Sequence, residues 1–164
     1  MILFLDFDGV LHPSEVYMVK GKPELLYEGE LFMWVYHLEQ ILEGHLDVKI
    51  VLSTTWARRL GFQRAKGYLP ASLQKRVIGA TWHSAMKWDD ESRPMNSQSW
   101  WDNATRYQQI AGYIERAKVQ EWVAIDDDDA GWPESERHRL VYTKEWLGLG
   151  DPEARERLND ILEN

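Results

Sequence analysis

Three apolar runs each end in residues that could do chemistry together. Asp6 and Asp8 follow Ile2-Leu3-Phe4-Leu5, Ser53 and Thr54 follow Val48-Lys49-Ile50-Val51-Leu52, and Asp126 to Asp129 follow Trp122-Val123-Ala124-Ile125. Carboxylates brought within a few ångströms raise one another's pKa unless protons or a cation compensate. A hard divalent cation with oxygen ligands, most economically Mg2+, is the expected compensation. One carboxylate can then act as both ligand and nucleophile toward an anionic electrophile, which is the requirement of phosphoryl transfer. A second carboxylate two residues on can give a proton to the leaving oxygen and later take one from water, if the loop turns it inward, and Gly9 supplies the freedom for that turn. Ser53 and Thr54, with Gly9 and nearby backbone amides, are expected to hold phosphoryl oxygens, and a cation must neutralise the remaining transition-state charge. Arg106 is the favoured cation, because a positive charge in the first turn of a helix opposes the macrodipole and has little structural reason to be there. Lys87, in the unpatterned segment before that helix, is its competitor.

These residues can share a site only if distant segments converge. Ile2 to Leu5 reads as a strand buried on both faces, and Val48 to Leu52, Arg76 to Ala80, Trp122 to Ile125 and Leu140 to Tyr142 as further strands. Leu31, Trp34, Val35, Leu38, Ile41 and Leu42 recur at helical spacing up to Gly44. Tyr107, Ile110, Ala111, Ile114 and Ala117 mark a second helix with Asn103 as its expected N-cap, and Asp151-Pro152-Glu153 opens a C-terminal helix through Leu162. Residues 82–103 carry no period and are expected to be loop. Strands alternating with helices imply an α/β fold with a central parallel sheet flanked on both faces, and ligands of such sheets gather at the carboxyl ends of the strands.

Composition removes several classes of function. At 164 residues the chain is about one domain's worth, and residues 1–164 are expected to form a single domain. The absence of cysteine excludes disulfide frameworks, cysteine-zinc sites and thiol catalysis. A net charge of −8 argues against tight, unspecific adhesion to nucleic acid or anionic lipid. With neither a membrane span nor a signal peptide in the sequence, a soluble cytoplasmic protein is expected. The five histidines, at 12, 37, 45, 83 and 138, show no metal-ligand spacing and are expected to have no role. Among the nine tryptophans, most read as core; Trp100 and Trp101, set among polar residues, carry the alternative reading of a stacking or partner surface.

Phe4-Leu5-Asp6-Phe7-Asp8-Gly9-Val10 resembles the first motif of the haloacid dehalogenase-like (HAD) superfamily, an apolar strand followed by D-x-D-G-x. Ser53, Arg106 and Ile125-Asp126-Asp127 follow in the order of the superfamily's other motifs. Val51 to Trp56, Arg76 to Thr81 and Ala124 to Asp128 look most like the compact HAD domain of Swiss-Army-knife RNA repair proteins, although the tryptophan-arginine pair of that group reads Trp56-Ala57-Arg58 here. The resemblance implies a Rossmann-like three-layer sandwich and an Mg2+-dependent phosphatase. Asp6 would become an aspartyl-phosphate and Asp8 would act as general acid and base. Asp6, the Asp8 carbonyl and Asp126 would hold the metal, with Asp127 assisting or replacing Asp126, while Ser53 and Arg106 hold the phosphoryl group.

Two openings could carry a cap over the site. Residues 11–30 have room for a flap or hairpin and 82–103 only for a loop, so no large cap domain is expected. An open site fits a phosphorylated substrate of some bulk, such as a polynucleotide end or a phosphoprotein, or else closure by a second subunit. Arg58, Arg59, Arg64 and Lys66 could meet a phosphate backbone, but the overall charge favours reading them as a solvated helix face. The non-enzymatic alternative is a degenerate phosphatase fold that binds a phosphorylated or protein partner without turnover.

Overall fold

The computed structural model describes residues 1–84, 86 and 100–164. Five strands form a parallel sheet: β1 (Ile2–Leu5), β4 (Lys49–Leu52), β5 (Val77–Ala80), β6 (Trp122–Asp126) and β7 (Leu140–Tyr142), in the order β5-β4-β1-β6-β7. The remaining two, β2 (Val16–Val19) and β3 (Lys22–Leu25), pair antiparallel as a hairpin within the first opening. This is the expected Rossmann-like α/β architecture without a large cap domain. The chain leaves the central strand β1 toward β4 and β5, then returns to its other side for β6 and β7. The reversal sets a topological switch point at the carboxyl end of β1.

Side-chain alternation along β1 divides the interior into two layers. Leu3 and Leu5 join a large apolar cluster with Leu38, Leu42, Ile50, Leu52 and Leu158, while Phe4 joins Val51, Ile110, Trp122 and Ala124 on the other face. The first layer is covered by α1 (Val35–Glu43) and α7 (Pro152–Glu163), the second by α6 (Arg106–Ala117). α7 begins as expected, with Asp151 accepting from the Glu153 amide and Pro152 in the first turn. Between β4 and β5 lie three short helices that hydrophobic periodicity had not resolved, α2 (Thr55–Leu60), α3 (Phe62–Gly67) and α4 (Ala71–Gln74). None spans two full turns, too short for a 3.6-residue pattern to declare itself.

Three sequence readings need correction. The cap of α6 is Thr105 rather than Asn103: its hydroxyl accepts from the Gln108 amide, and the Gln108 side chain returns to the Thr105 amide. Asn103 instead ends a single helical turn, α5 (Trp100–Asn103), inside the segment expected to be loop. In that turn Trp101 is buried and only Trp100 is exposed, so the two indoles form no joint stacking surface. Among the described residues, no helix is long and apolar enough to cross a membrane.

Candidate functional site

Register puts the chemistry at one level. Leu5 pairs with Leu52 on one side and Ile125 on the other, so the next residues, Asp6, Ser53 and Asp126, leave three adjacent strands side by side. Backbone bonds hold the exits together, from the Ser53 amide to the Leu5 carbonyl at 2.8 Å and from the Asp6 amide to the Ile125 carbonyl at 3.2 Å. Beyond the strand ends, Asp126 Oδ1 accepts from the Asp128 amide at 3.0 Å, a tight turn that brings Asp127 back toward the sheet. Carboxylate oxygens of Asp6, Asp126 and Asp127 then lie within 4.8 Å of one another.

Gly9 makes that approach sterically feasible. Its φ of +70° lies in the left-handed region, and a Cβ placed on it would fall 2.0 Å from Asp127 Oδ2. The Thr143 hydroxyl donates to the Gly9 carbonyl at 2.8 Å, while the Thr143 amide donates to the Asp126 carbonyl at 3.0 Å. The end of β7 therefore clamps the loop after β1 against the loop after β6.

Arg106 enters from the first turn of α6 with its side chain only a tenth exposed. Its Nη2 donates to Asp6 Oδ2 at 3.1 Å, and its Nε sits 2.8 Å from Asp126 Oδ2. That second contact is ionic but out of line for a hydrogen bond, so both buried atoms lack an aligned partner. Gln109, one turn along, receives Arg106 Nη1 at 3.3 Å. Burial disfavours the guanidinium charge, yet Asp126, Asp6, Asp128 and Asp127 together hold it more firmly protonated than a free arginine. Lys87 lies outside the described residues.

One guanidinium does not balance this many carboxylates. Burial raises Asp6 to about 6, with Arg106 pulling it down and Asp8 pushing it further up. Asp127 rises to about 7, through burial first and the Asp6 charge second. Burial also lifts Asp126 well above the ordinary carboxylate range against the pull of Arg106. Oxygen-only donors, excess negative charge and a buried Asp126 Oδ2 with no aligned donor fit a hard divalent cation.

Asp8 faces a different set of partners. Trp56 Nε1 lies 2.9 Å from Asp8 Oδ1 and 3.1 Å from Oδ2, a three-centre bond from the first turn of α2. His12, fully buried, places Nε2 3.0 Å from Asp8 Oδ1. Because His12 Nδ1 accepts from the Phe32 amide at 3.2 Å, the ring proton sits on Nε2, which is the donor to Asp8. Phe32 holds a left-handed φ of +62°, and its ring packs against Phe7, His12, Trp56 and Tyr68. Sequence reasoning assigned His12 no role, since it looked only for metal-ligand spacing. The available signal was its place four residues after Asp8, beyond the turn at Gly9.

Ser53 and Thr54 differ in what they have left to offer. Thr54 caps α2, accepting from the Trp56 amide at 3.3 Å, and its hydroxyl helps lower the Asp6 pKa. Ser53 is fully buried and its Oγ has no partner among the described residues. A buried hydroxyl left unmet costs about 1 to 3 kcal/mol, which a ligand oxygen at this position would relieve. Of the basic run after Ser53, Arg58 is committed to an ion pair with Asp102 at 2.9 Å, Arg64 donates to the Gly21 carbonyl at 3.3 Å, and Arg59 is exposed.

The arrangement thus offers an acidic cluster around a buried cation, a separately held carboxylate and an unmet hydroxyl at a parallel sheet's switch point. No curated protein and no solved structure gives a significant match to this chain. The family described as the HAD domain in Swiss Army Knife RNA repair proteins does match, over residues 2–154. With nearly the whole chain covered and the expected motifs gathered at one sheet edge, the chain belongs to that HAD family.

Proposed function

We propose that the protein is an Mg2+-dependent phosphohydrolase that works through an aspartyl-phosphate on Asp6. The observation that carries the reading is the clustering of Asp6, Asp126 and Asp127 within 4.8 Å, with Arg106 on two of them and the unpartnered Ser53 hydroxyl at the same level. Asp6, Asp126 or Asp127, and the Asp8 carbonyl would hold the metal, which when bound supplies charge neutralisation for an incoming phosphate.

An ionised Asp6 oxygen attacks phosphorus as the bond to the leaving oxygen breaks, and Asp8 delivers a proton to that oxygen. Asp8 Oδ1 accepts from both His12 and Trp56, whereas Oδ2 takes only the longer arm of the Trp56 bond, which leaves Oδ2 the freer oxygen for proton transfer. In the second half, Asp8 takes a proton from water and the resulting hydroxide attacks phosphorus. The bond to Asp6 breaks, releasing phosphate and restoring both carboxyl groups. Ser53 Oγ and Arg106 hold phosphoryl oxygens, and Arg106 stays charged throughout because of its acidic surroundings.

A hairpin rather than a domain occupies the first opening, which supports a bulky phosphoester such as a nucleic-acid end, in keeping with the RNA repair proteins for which the family is named. The test is phosphate release from an aryl phosphate with Mg2+. Turnover that falls to background in Asp6→Asn is expected. A folded wild-type protein inert toward aryl, nucleotide and oligonucleotide phosphates would instead make it a binding module.

A further inference from the structure

Acidic and basic residues are not mixed evenly along this chain. Residues 48–84 hold seven of the 19 lysines and arginines and none of the 27 acidic residues, in a protein whose net charge is −8. The stretch includes β5, the outermost strand of the sheet, whose far side pairs with no other strand among the described residues. Arg59, Arg64 and Lys75 on this flank are exposed and make no ion pair among the described residues, in contrast to Arg58, Arg137 and Arg139. An acidic protein thus carries one basic island, with an unused strand edge along it.

Within β5, Val77-Ile78-Gly79-Ala80 has none of the charges or prolines that commonly guard a free edge, and Ile78 is exposed on it. The Thr81 amide donates inward to the Leu52 carbonyl at 2.9 Å, so by alternation the amide and carbonyl of Ala80 are turned outward. A groove of about 610 Å3 lies along this end of β5, lined by Phe62, Arg64, Gly79, Ala80, Trp82 and Tyr113, with no carboxylate in its described walls. It straddles the sheet rather than lying on one face. Phe62 packs against the apolar layer that holds Leu3 and Leu5, Tyr113 against the layer that holds Phe4, and β5 runs between them. An extended chain laid along β5 would send alternate side chains to these two walls, one set toward Phe62 and Arg64 and the other toward Tyr113.

We propose that the β5 edge is a docking site for an extended acidic segment of a partner protein, bound by strand addition. The segment's main chain pairs with the outward groups of β5, its apolar side chains fill the groove, and its carboxylates meet the unpaired cations of the flank. Nucleic acid has no ladder of amides and carbonyls to offer a strand edge. A second copy of β5 would bring its own seven cations against these seven. An acidic peptide segment satisfies both the edge and the charge. This docking is independent of the aspartate site and of the chemistry proposed there.

The test is anisotropy of a short fluorescein-labelled peptide of alternating glutamate and valine, titrated with the full chain. Saturable binding is expected, weakened about tenfold when Arg64→Glu and Lys75→Glu are combined. Ala80→Pro removes an outward amide by a substitution that free edges tolerate, and should weaken binding at least as much. Circular dichroism reports whether each variant is folded; if Ala80→Pro is not, the charge variant and the following pair of peptides decide. One peptide is methylated on its glutamate amides and the other on its valine amides. Only alternate amides of an added strand face β5, so one of the two should lose binding and the other keep it. No saturable binding by the wild type, like behaviour of the two methylated peptides, or undiminished binding by the charge-reversed variant overturns the proposal. So does tighter binding of an oligouridylate of equal charge, which would give the groove to nucleic acid. A wild-type dimer in sedimentation that Ala80→Pro converts to monomer would overturn it too, by giving the edge to a second copy.

Discussion

Loading the aspartate cluster with Mg2+ should expel protons, in numbers set by the raised carboxyl groups. With Asp6 at about 6 and Asp127 at about 7, the metal-free protein at pH 6 carries roughly half a proton on the first and nine tenths of one on the second. A divalent cation favours the ionised forms, so binding at that pH should release about 1.4 protons, and at pH 8 only about 0.1. The sign follows directly: protons compete with the metal, so affinity rises with pH. Between about pH 6 and 8 the gain is roughly twofold from Asp6 and tenfold from Asp127, about 20-fold together, equivalent to about 2 kcal/mol. Asp126 is raised by the same burial, so its ionisation adds to this figure. Titration calorimetry in buffers of different ionisation enthalpy reads both numbers. Asp127→Asn should cut proton release at pH 6 by about nine tenths of a proton and remove about tenfold of the pH effect. Equal Mg2+ affinity at pH 6 and 8, with heats independent of buffer, would refute the reasoning.

Other consequences can be measured without turnover. Asp6 and Asp127 titrate higher folded than unfolded, so the folded state holds extra protons between about pH 4 and 7 and the metal-free protein loses stability as pH rises through that window, by about 3 kcal/mol for Asp6 alone. Thermal melts should therefore show Asp127→Asn raising the melting temperature of the metal-free protein at pH 8, and an unchanged or lower value would contradict it. Ser53→Ala removes a hydroxyl with no partner, so stability should hold or improve by up to about 1 kcal/mol while affinity for vanadate drops; a loss of several kcal/mol would mean the hydroxyl is satisfied. His12→Leu deletes a donor to Asp8 and should lower kcat on an aryl phosphate about 10- to 100-fold, with partial rescue by His12→Gln. Gly9→Ala meets Asp127 Oδ2 and a left-handed backbone, so Mg2+ affinity should fall at least about tenfold with the circular dichroism spectrum retained; unaltered affinity would show that Asp127 does not need its seat on Gly9.

How much of this was legible in the sequence depended on how local each determinant is. Apolar runs ending in Asp6, Ser53 and Asp126 announce buried parallel strands, and a parallel sheet has only one end where such exits can meet. Arg106 could be anticipated because a cation in a helix's first turn has little local justification. The partners of Asp8 were not legible, since Trp56 lies 48 residues away and the Phe32 amide that sets the His12 tautomer lies 20 residues beyond the histidine. Those contacts depend on where α2 and the chain before α1 dock on the sheet. The α6 cap was misplaced by two residues because Asn103 and Thr105 are both good caps, and only Thr105 has a glutamine three residues on to complete the reciprocal pair.

The two carboxylates of the first loop are kept in separate environments, and that separation is what a two-step phosphoryl transfer requires. Asp6 is gripped by Arg106 and the Phe7 amide among other carboxylates, where its ionisation depends on the charge around it. Asp8, two residues later, is turned away to a neutral imidazole and an indole, both aimed at its oxygens. A nucleophile must respond to the arrival of a cation and a phosphate, whereas a proton carrier must keep its orientation while the charge beside it changes. Alternation along an extended chain would send residues 6 and 8 to the same side, so the loop must break strand geometry immediately after β1. The backbone does so with two turn bonds to the Phe7 carbonyl, from the amides of Val10 and Leu11, and with the left-handed Gly9 between them. The identity of residue 9 therefore governs two things at once, the seat of Asp127 and the divergence of Asp6 from Asp8.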